Sequence, residues 1–164
     1  MGLINRDLGK KTKAQIDALS GMIQGDRVWN TDIERFEYYT GSVWTNDDCV
    51  LLTNRHTATL AEGYFVSVSS SFDDSVILAN SNATVIGVVY RGGITGTTMV
   101  IAIQGNYNVQ FGATATIGQF CNLNTANGTG TSSASNQVGT VGIDVVGRTG
   151  AGLTQVNLQP SERR

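Results

Sequence analysis

The chain has 164 residues, of which only 15% are charged and 40% hydrophobic, with a formal net charge of -2. That length holds one domain, or one domain with a small appendage. The hydrophobic share excludes wholesale disorder, and the lack of a basic stripe excludes a grip on a phosphate backbone, so no nucleic-acid partner is expected.

Twenty glycines stand against a single proline, Pro160, among abundant Thr, Ser, Asn and Val. This is the composition of many short strands joined by tight turns, so the predicted fold class is mainly β. Charge well below the usual quarter of residues leaves a surface of Thr, Ser, Asn and Gly. Such a surface suits a protein packed against others, because burying a hydroxyl or amide that finds a partner costs less than burying a charge.

Charge is also uneven. Residues 1–48 carry 14 of the 24 charged side chains, and only six lie between His56 and Ser161. The shift predicts an arm with a short helix over 1–24, an aromatic β meander over 25–48, a linker or first strand over 49–62, and a β-barrel domain over 63–164.

Met1 to Lys13 is polar and basic without an apolar segment, and no stretch approaches ~20 apolar residues, which predicts a soluble chain with no cleaved signal and no membrane partner. In the arm, Thr12 can cap a helix and Gln15 can close a capping box, with Ile16, Leu19 and Ile23 on one face and Gly21 as the stop. A helix this short is marginal in water, so its Ile16 and Leu19 side must lean on its own domain or on a neighbouring subunit. Lys10, Lys11 and Lys13 read as a solvated helix start.

Next, Arg27 to Asn30 and Phe36 to Tyr39 form two aromatic strands around the turn Asn30-Thr31-Asp32, with a third piece through Trp44. The meander is too small to stand alone. Its rings Trp29, Phe36, Tyr38, Tyr39 and Trp44 are expected to pack on one another and on a partner surface.

From Gly63 the strands come regularly. Tyr64, Val66 and Val68 alternate with Phe65, Ser67 and Ser69; Val76 to Ala79 follows the Asp73-Asp74 turn; Thr84 to Tyr90 is apolar on both faces and reads as central. Thr97 to Gln104 is a further strand, and Gly105-Asn106 predicts a tight hairpin into Tyr107 to Phe111. Gln119 to Leu123 is short, Asn127 to Gln137 reads as a loop, and Val138 to Val145 and Thr154 to Leu158 close a barrel or sandwich of about eight strands, with Val156 and Leu158 inward. No repeat and no trimeric coiled coil is evident.

Chemistry-bearing residues do not assemble. His56 is the single histidine, without a Gly-x-Ser-x-Gly elbow to supply its nucleophile, and it reads as an exposed linker residue. Asp47-Asp48 and Asp73-Asp74 are neighbours on extended chain and point apart, as turn residues do. No glycine pattern fits a nucleotide loop. Cys49 and Cys121 fit no metal spacing and read as buried free thiols of a reducing compartment. The sequons at Asn82 and Asn127 are then chance matches. No enzyme, no cofactor and no metal are expected.

The segment Gly25-Asp26-Arg27-Val28-Trp29-Asn30-Thr31-Asp32, followed by Phe36-Glu37-Tyr38-Tyr39-Thr40-Gly41-Ser42-Val43-Trp44, resembles an element of tailed-bacteriophage virion proteins, often tail fibres. From Gly63 to Pro160 the chain resembles the small β-barrel of phage capsid decoration, or cement, proteins. That likeness is carried by Ile86-Gly87-Val88-Val89, the Thr97 to Gln104 strand with Gly105 and Tyr107 to Val109, Ala115 to Phe120, Val141-Gly142-Ile143, and the last strand.

The resemblance implies a structural protein that binds the outer surface of a phage head as a homotrimer and clamps capsomer junctions. It also implies the major capsid protein as partner, synthesis in the host cytoplasm, and a place on the virion. On this reading the contact anchors are Ile16, Leu19, Trp29, Phe36, Tyr38, Tyr39 and Trp44. The alternative is a head- or tail-fibre attachment protein that binds host surface glycan.

Overall fold

Residues 6–80, 84–124, 127–135, 140–144 and 146–159 are described in the computed structural model, and among them fourteen strands and one short helix form, so the chain is mainly β. Two units divide it, Met1–Asp47 and Asp48–Arg164.

The N-terminal unit contains β1 (Asp7–Lys11), α1 (Lys13–Asp17), β2 (Arg27–Asn30), β3 (Arg35–Tyr39) and β4 (Trp44–Thr45), with sheet order β1-β2-β3-β4. The aromatic meander expected from the sequence is β2 to β4. Thr12 caps α1: its side chain accepts from the Gln15 N–H at 3.3 Å, while the Gln15 side-chain oxygen accepts from the Thr12 N–H at 2.9 Å. Five residues do not make a stable helix by themselves, and burial of Ile16 against Val28 and Trp44 holds this one in place.

β1 was not expected. It runs parallel to β2, with Asp7 opposite Arg27 and Lys11 opposite Asn30. Its residues Asp-Leu-Gly-Lys-Lys show no apolar alternation: backbone pairing with β2 places the strand, and Leu8 is its one apolar contact with the core.

The second unit begins with β5 (Cys49–Asn54), β6 (Phe65–Val68), β7 (Ser75–Leu78), β8 (Val85–Arg91) and β9 (Thr98–Ala102), which close into a barrel in the order β5-β7-β6-β8-β9. Then β10 (Gly105–Phe111), β11 (Phe120–Leu123), β12 (Gly130–Ser133), β13 (Thr140–Asp144) and β14 (Gly152–Leu158) close in the order β10-β12-β11-β13-β14. These two orders are the same. In each barrel the first strand pairs parallel with the third and antiparallel with the fifth.

Register repeats as well. Phe65 opposite Val88 and Val66 opposite Gly87 recur 55 residues later as Phe120 opposite Ile143 and Cys121 opposite Gly142, with an irregularity at the next residue in both. The isolated bridge Leu60–Gly93 recurs as Ala115–Arg148. The strands expected to close one barrel or sandwich of about eight are therefore arranged as two five-stranded barrels of one design, and a repeat is present where the sequence showed none.

Three local expectations change with it. Gly105-Asn106 does not turn a hairpin: Gly105 opens β10, which pairs with β14, while β9 pairs with β5 and β8. The predicted loop Asn127 to Gln137 contains β12, whose Gly130 lies tightly against the Val109, Phe111 and Cys121 side chains. Residues 49–62 supply β5, a full member of the first barrel.

The first barrel is filled by Leu60, Val66, Val76, Val89, Met99 and Ile101. β8 reads apolar on both faces for a concrete reason: Val89 enters this core, while Tyr90 packs edge-on against Tyr107 of the second barrel, ring centroids 5.0 Å apart. The backbones also join there, with the Gln110 N–H donating to the Gly63 carbonyl at 2.8 Å. Gly63 has φ +90, and a Cβ on it would collide with Gln110 and Leu153, so only glycine fits.

Candidate functional site

Strand alternation splits the aromatic cluster of the N-terminal unit into two faces. On the inner face, Ile16, Val28 and Trp44 form a core, with Leu8, Leu19, Met22 and Tyr39 packed against it. Two polar groups are buried with them: Asn30 donates through Nδ2 to Glu37 Oε2 at 3.2 Å, and its Oδ1 accepts from the Asp32 N–H at 2.9 Å. Asp26 is also buried and is met by Arg6, whose Nε donates to Oδ1 at 2.9 Å and whose Nη2 pairs with Oδ2. The Arg6 guanidinium, helped by the Ile23 N–H and opposed by burial, lowers the Asp26 carboxyl from 3.8 to about 2.

On the outer face the side chains stand in cross-strand rows. Lys10, Trp29 and Phe36 make one, and Asp7, Arg27 and Tyr38 make the next. Trp29 and Phe36 meet edge-to-face at 4.9 Å, Arg27 lies over the Phe36 ring at 5.4 Å, and Arg27 pairs with Asp7 at 3.3 Å. Phe36 is 50% and Tyr38 41% exposed, large values for aromatic rings on a regular strand.

The seven expected contact anchors thus separate. Trp29, Phe36 and Tyr38 lie on the outer face. Ile16 and Trp44 are core residues, 0% and 4% exposed; Leu19 and Tyr39 lean on the same core, Tyr39 against Trp44 at 5.4 Å. Ile23, expected on the helix's apolar face, falls beyond α1 and is exposed.

In the second unit, the titratable groups are scattered. His56 is half-buried and its backbone N–H and C=O are bonded by Asn54 and Thr95. Asp48 accepts from the Gln104 side chain, and Asp73 and Asp74 are exposed at a turn. Among the described residues, no three His, Cys, Asp or Glu side chains are grouped to hold a metal. A shallow open groove of about 360 Å³ beside Val146, Arg148 and Leu153 contains no carboxylate or imidazole. Asn127 is exposed, and Asn82 lies outside the described residues.

One ionisable cluster is internal. Asp144 and Cys121 are both buried in the second barrel, where Ser132 donates its hydroxyl to Asp144 Oδ2. Burial pushes both groups' pKa values up, the Cys121 thiol further through the nearby Asp144 carboxyl.

The fold has a solved counterpart. It is similar to the crystal structure of the head fiber gp8.5 N base in bacteriophage phi29, with a TM-score of 0.55 and 16% sequence identity, covering 68% of this chain and 94% of that one. At this identity the likeness is one of fold. No family model matches the chain, and no curated protein matches it.

The outer-face pair Asp7 and Lys10 escaped the sequence reading because β1 has no apolar pattern. The Asp144–Cys121 pair escaped because Cys121 was read singly and Asp144 passed as one residue of the Val138 to Val145 strand. A comparison of Gly63-Tyr64-Phe65-Val66 with Gly118-Gln119-Phe120-Cys121, and of Ile86-Gly87-Val88-Val89 with Val141-Gly142-Ile143-Asp144, would have found it.

Proposed function

We propose that this chain is a structural protein of a bacteriophage virion, attached to the outside of the head and without catalytic activity of its own. The observation that carries the reading is the fold shared with the phi29 head fiber base, which this chain matches over nearly the whole of that chain. The low charge beyond the first unit supports it, as does the surface of Thr, Ser, Asn and Gly, which can be buried against neighbours at modest cost.

Within that reading the protein acts mechanically, as a decoration protein that binds the major capsid protein and ties capsomers together as a trimer. Closed barrels suit this work, since they expose no long strand edge and lose little conformational freedom on binding. A trimer touching three shell subunits gains by effective concentration even where each contact is weak. The second reading, the base of a head fibre, is favoured by the phi29 counterpart, itself a head fiber base. Both put the chain on the head.

The test is an image reconstruction of virions of the phage that encodes the chain, beside particles in which its gene is interrupted. The expected result is two-barrel density on the head exterior that vanishes from the interrupted particles. Heads of unchanged outer density would overturn the reading. Light scattering separately tests the oligomer: a mass near three times the 17.4 kDa chain is expected, and a monomer at micromolar concentration removes the trimer.

A further inference from the structure

We propose that the outer face of β1, β2 and β3 is a docking surface for an acidic protein surface, with Trp29, Phe36 and Tyr38 making the apolar contact and Lys10 meeting a carboxylate. This rests on the head-attachment reading, under which the partner is the shell protein.

The first argument is exposure. Phe36 and Tyr38 leave about half their area in water while Glu37 between them is fully buried, so the strand presents its rings outward and its carboxylate inward. Neither ring adds to the core of its own unit, which Ile16, Val28 and Trp44 supply. A contiguous exposed aromatic ridge on a regular sheet is the composition of an interface centre.

The second argument is charge. The two rows carry Lys10 and Arg27 against Asp7 alone, and Asp7 is already paired with Arg27. The chain as a whole is -2, so this face is locally positive on an acidic protein. Complementarity then selects a partner patch with carboxylates among apolar groups.

At Phe36 the ring geometry disfavours a sugar as occupant. A pyranose stacks on an open ring face, yet Arg27 covers Phe36 at 5.4 Å and Trp29 meets it at a 79° interplanar angle. Trp29 and Phe36 interlock, and with Tyr38 in the next row they form a ridge that fits a groove between side chains. Four consecutive cross-strand pairs from Arg27–Tyr38 to Asn30–Arg35 hold the ridge, so little order is gained on docking.

The experiment uses the full chain and purified heads from particles lacking it. Three forms are compared: wild type, the double variant Phe36→Thr with Tyr38→Thr, and Lys10→Glu. Threonine keeps strand propensity, and a cooperative unfolding transition followed by tryptophan fluorescence checks that each form is folded. Binding to heads is expected to fall about thirty-fold for the double variant. For Lys10→Glu the expected fall is about tenfold at low salt, shrinking as screening increases.

Folded variants that bind as wild type does would overturn the docking face while leaving head attachment intact. Displacement of wild type from heads by soluble host-envelope polysaccharide would overturn it in favour of a glycan. If wild type itself does not bind heads, the attachment reading falls and this inference falls with it.

Discussion

Asp144 occupies in the second barrel the position that Val89 occupies in the first. Val89 pairs with Ile101 and donates its N–H to the Tyr64 carbonyl at 2.9 Å; Asp144 pairs with Val156 and donates its N–H to the Gln119 carbonyl at 2.9 Å. Both side chains are buried, at 0% and 1% exposure. Across the neighbouring strand, Val66 is likewise replaced by Cys121. The backbone design is shared, and the second barrel has exchanged part of its apolar filling for a carboxyl and a thiol.

That exchange sets a pH dependence. The Ser132 hydroxyl serves Asp144 Oδ2, but Oδ1 is buried without a partner among the described residues, and burial raises the pKa above its ordinary 3.8. A carboxyl whose folded pKa lies above its unfolded one contributes stability that is complete below 3.8 and is lost as pH rises through the folded value. Asp144→Asn should therefore stabilise the second unit at pH 7 to 8, by about 1–3 kcal/mol, and lose that advantage near pH 4. Urea unfolding followed by far-UV circular dichroism at both pH values measures it. Equal midpoints for wild type and variant at pH 8 would remove the buried ion from the account.

Arg6 and Asp26 give the N-terminal unit the opposite slope. Asp26 is lowered to about 2 by its bonds to Arg6, so the stability it contributes is present above 3.8 and is lost as pH falls toward 2. Both tryptophans, Trp29 and Trp44, belong to this unit, so their fluorescence reports its unfolding alone. Arg6→Ala should move the acid transition seen by fluorescence to higher pH. An unmoved transition would show that the pair holds nothing.

Much of this architecture was legible in the chain, and what was missed shares a cause. β2 and β3 were read to within a residue because aromatics flank a turn, and Thr12 and Gln15 announced the capping box. β8 was recognised as central from apolar residues on both faces. β1 and β12 were missed because their side chains, Asp-Leu-Gly-Lys-Lys and Gly-Thr-Ser-Ser, carry no alternation; the ladders that place them are made by backbone groups, which every sequence has. The anchors were pooled because a cluster in sequence says nothing of side, and period-two alternation sent Phe36 and Tyr38 outward and Tyr39 inward. The duplicated barrel stayed hidden because only its glycines and a few core positions repeat.

The thiols should differ sharply in reactivity. Cys49 is half-buried, whereas Cys121 is fully buried with its pKa raised by burial and by Asp144, so it holds almost no thiolate near pH 8. A disulfide reagent should label one thiol quickly in the native protein, and Cys49→Ser should abolish that phase. Cys121 should react only when the second barrel opens, so its labelling rate measures that opening. Fast labelling in Cys49→Ser would mean that the barrel is loose under native conditions.

Gly87 and Gly142 provide the sharpest test of the duplication. Each lies where the fourth strand of its barrel passes the fifth. A Cβ on Gly87 would run into the Ala102 carbonyl oxygen and the Ile101 side chain; on Gly142 it would run into the Asn157 carbonyl oxygen and the Val156 side chain. In both cases the obstacle is backbone, which cannot swing aside as a long side chain could. Gly87→Ala and Gly142→Ala should each destabilise by about 1–3 kcal/mol, the usual range for overpacking a filled interior. The costs should be similar because the two sites share one geometry. Since both barrels belong to the second unit, far-UV circular dichroism should register each loss while tryptophan fluorescence stays unmoved. If one alanine proved harmless and the other severe, the barrels would share strand order without sharing the packing that defines a repeat.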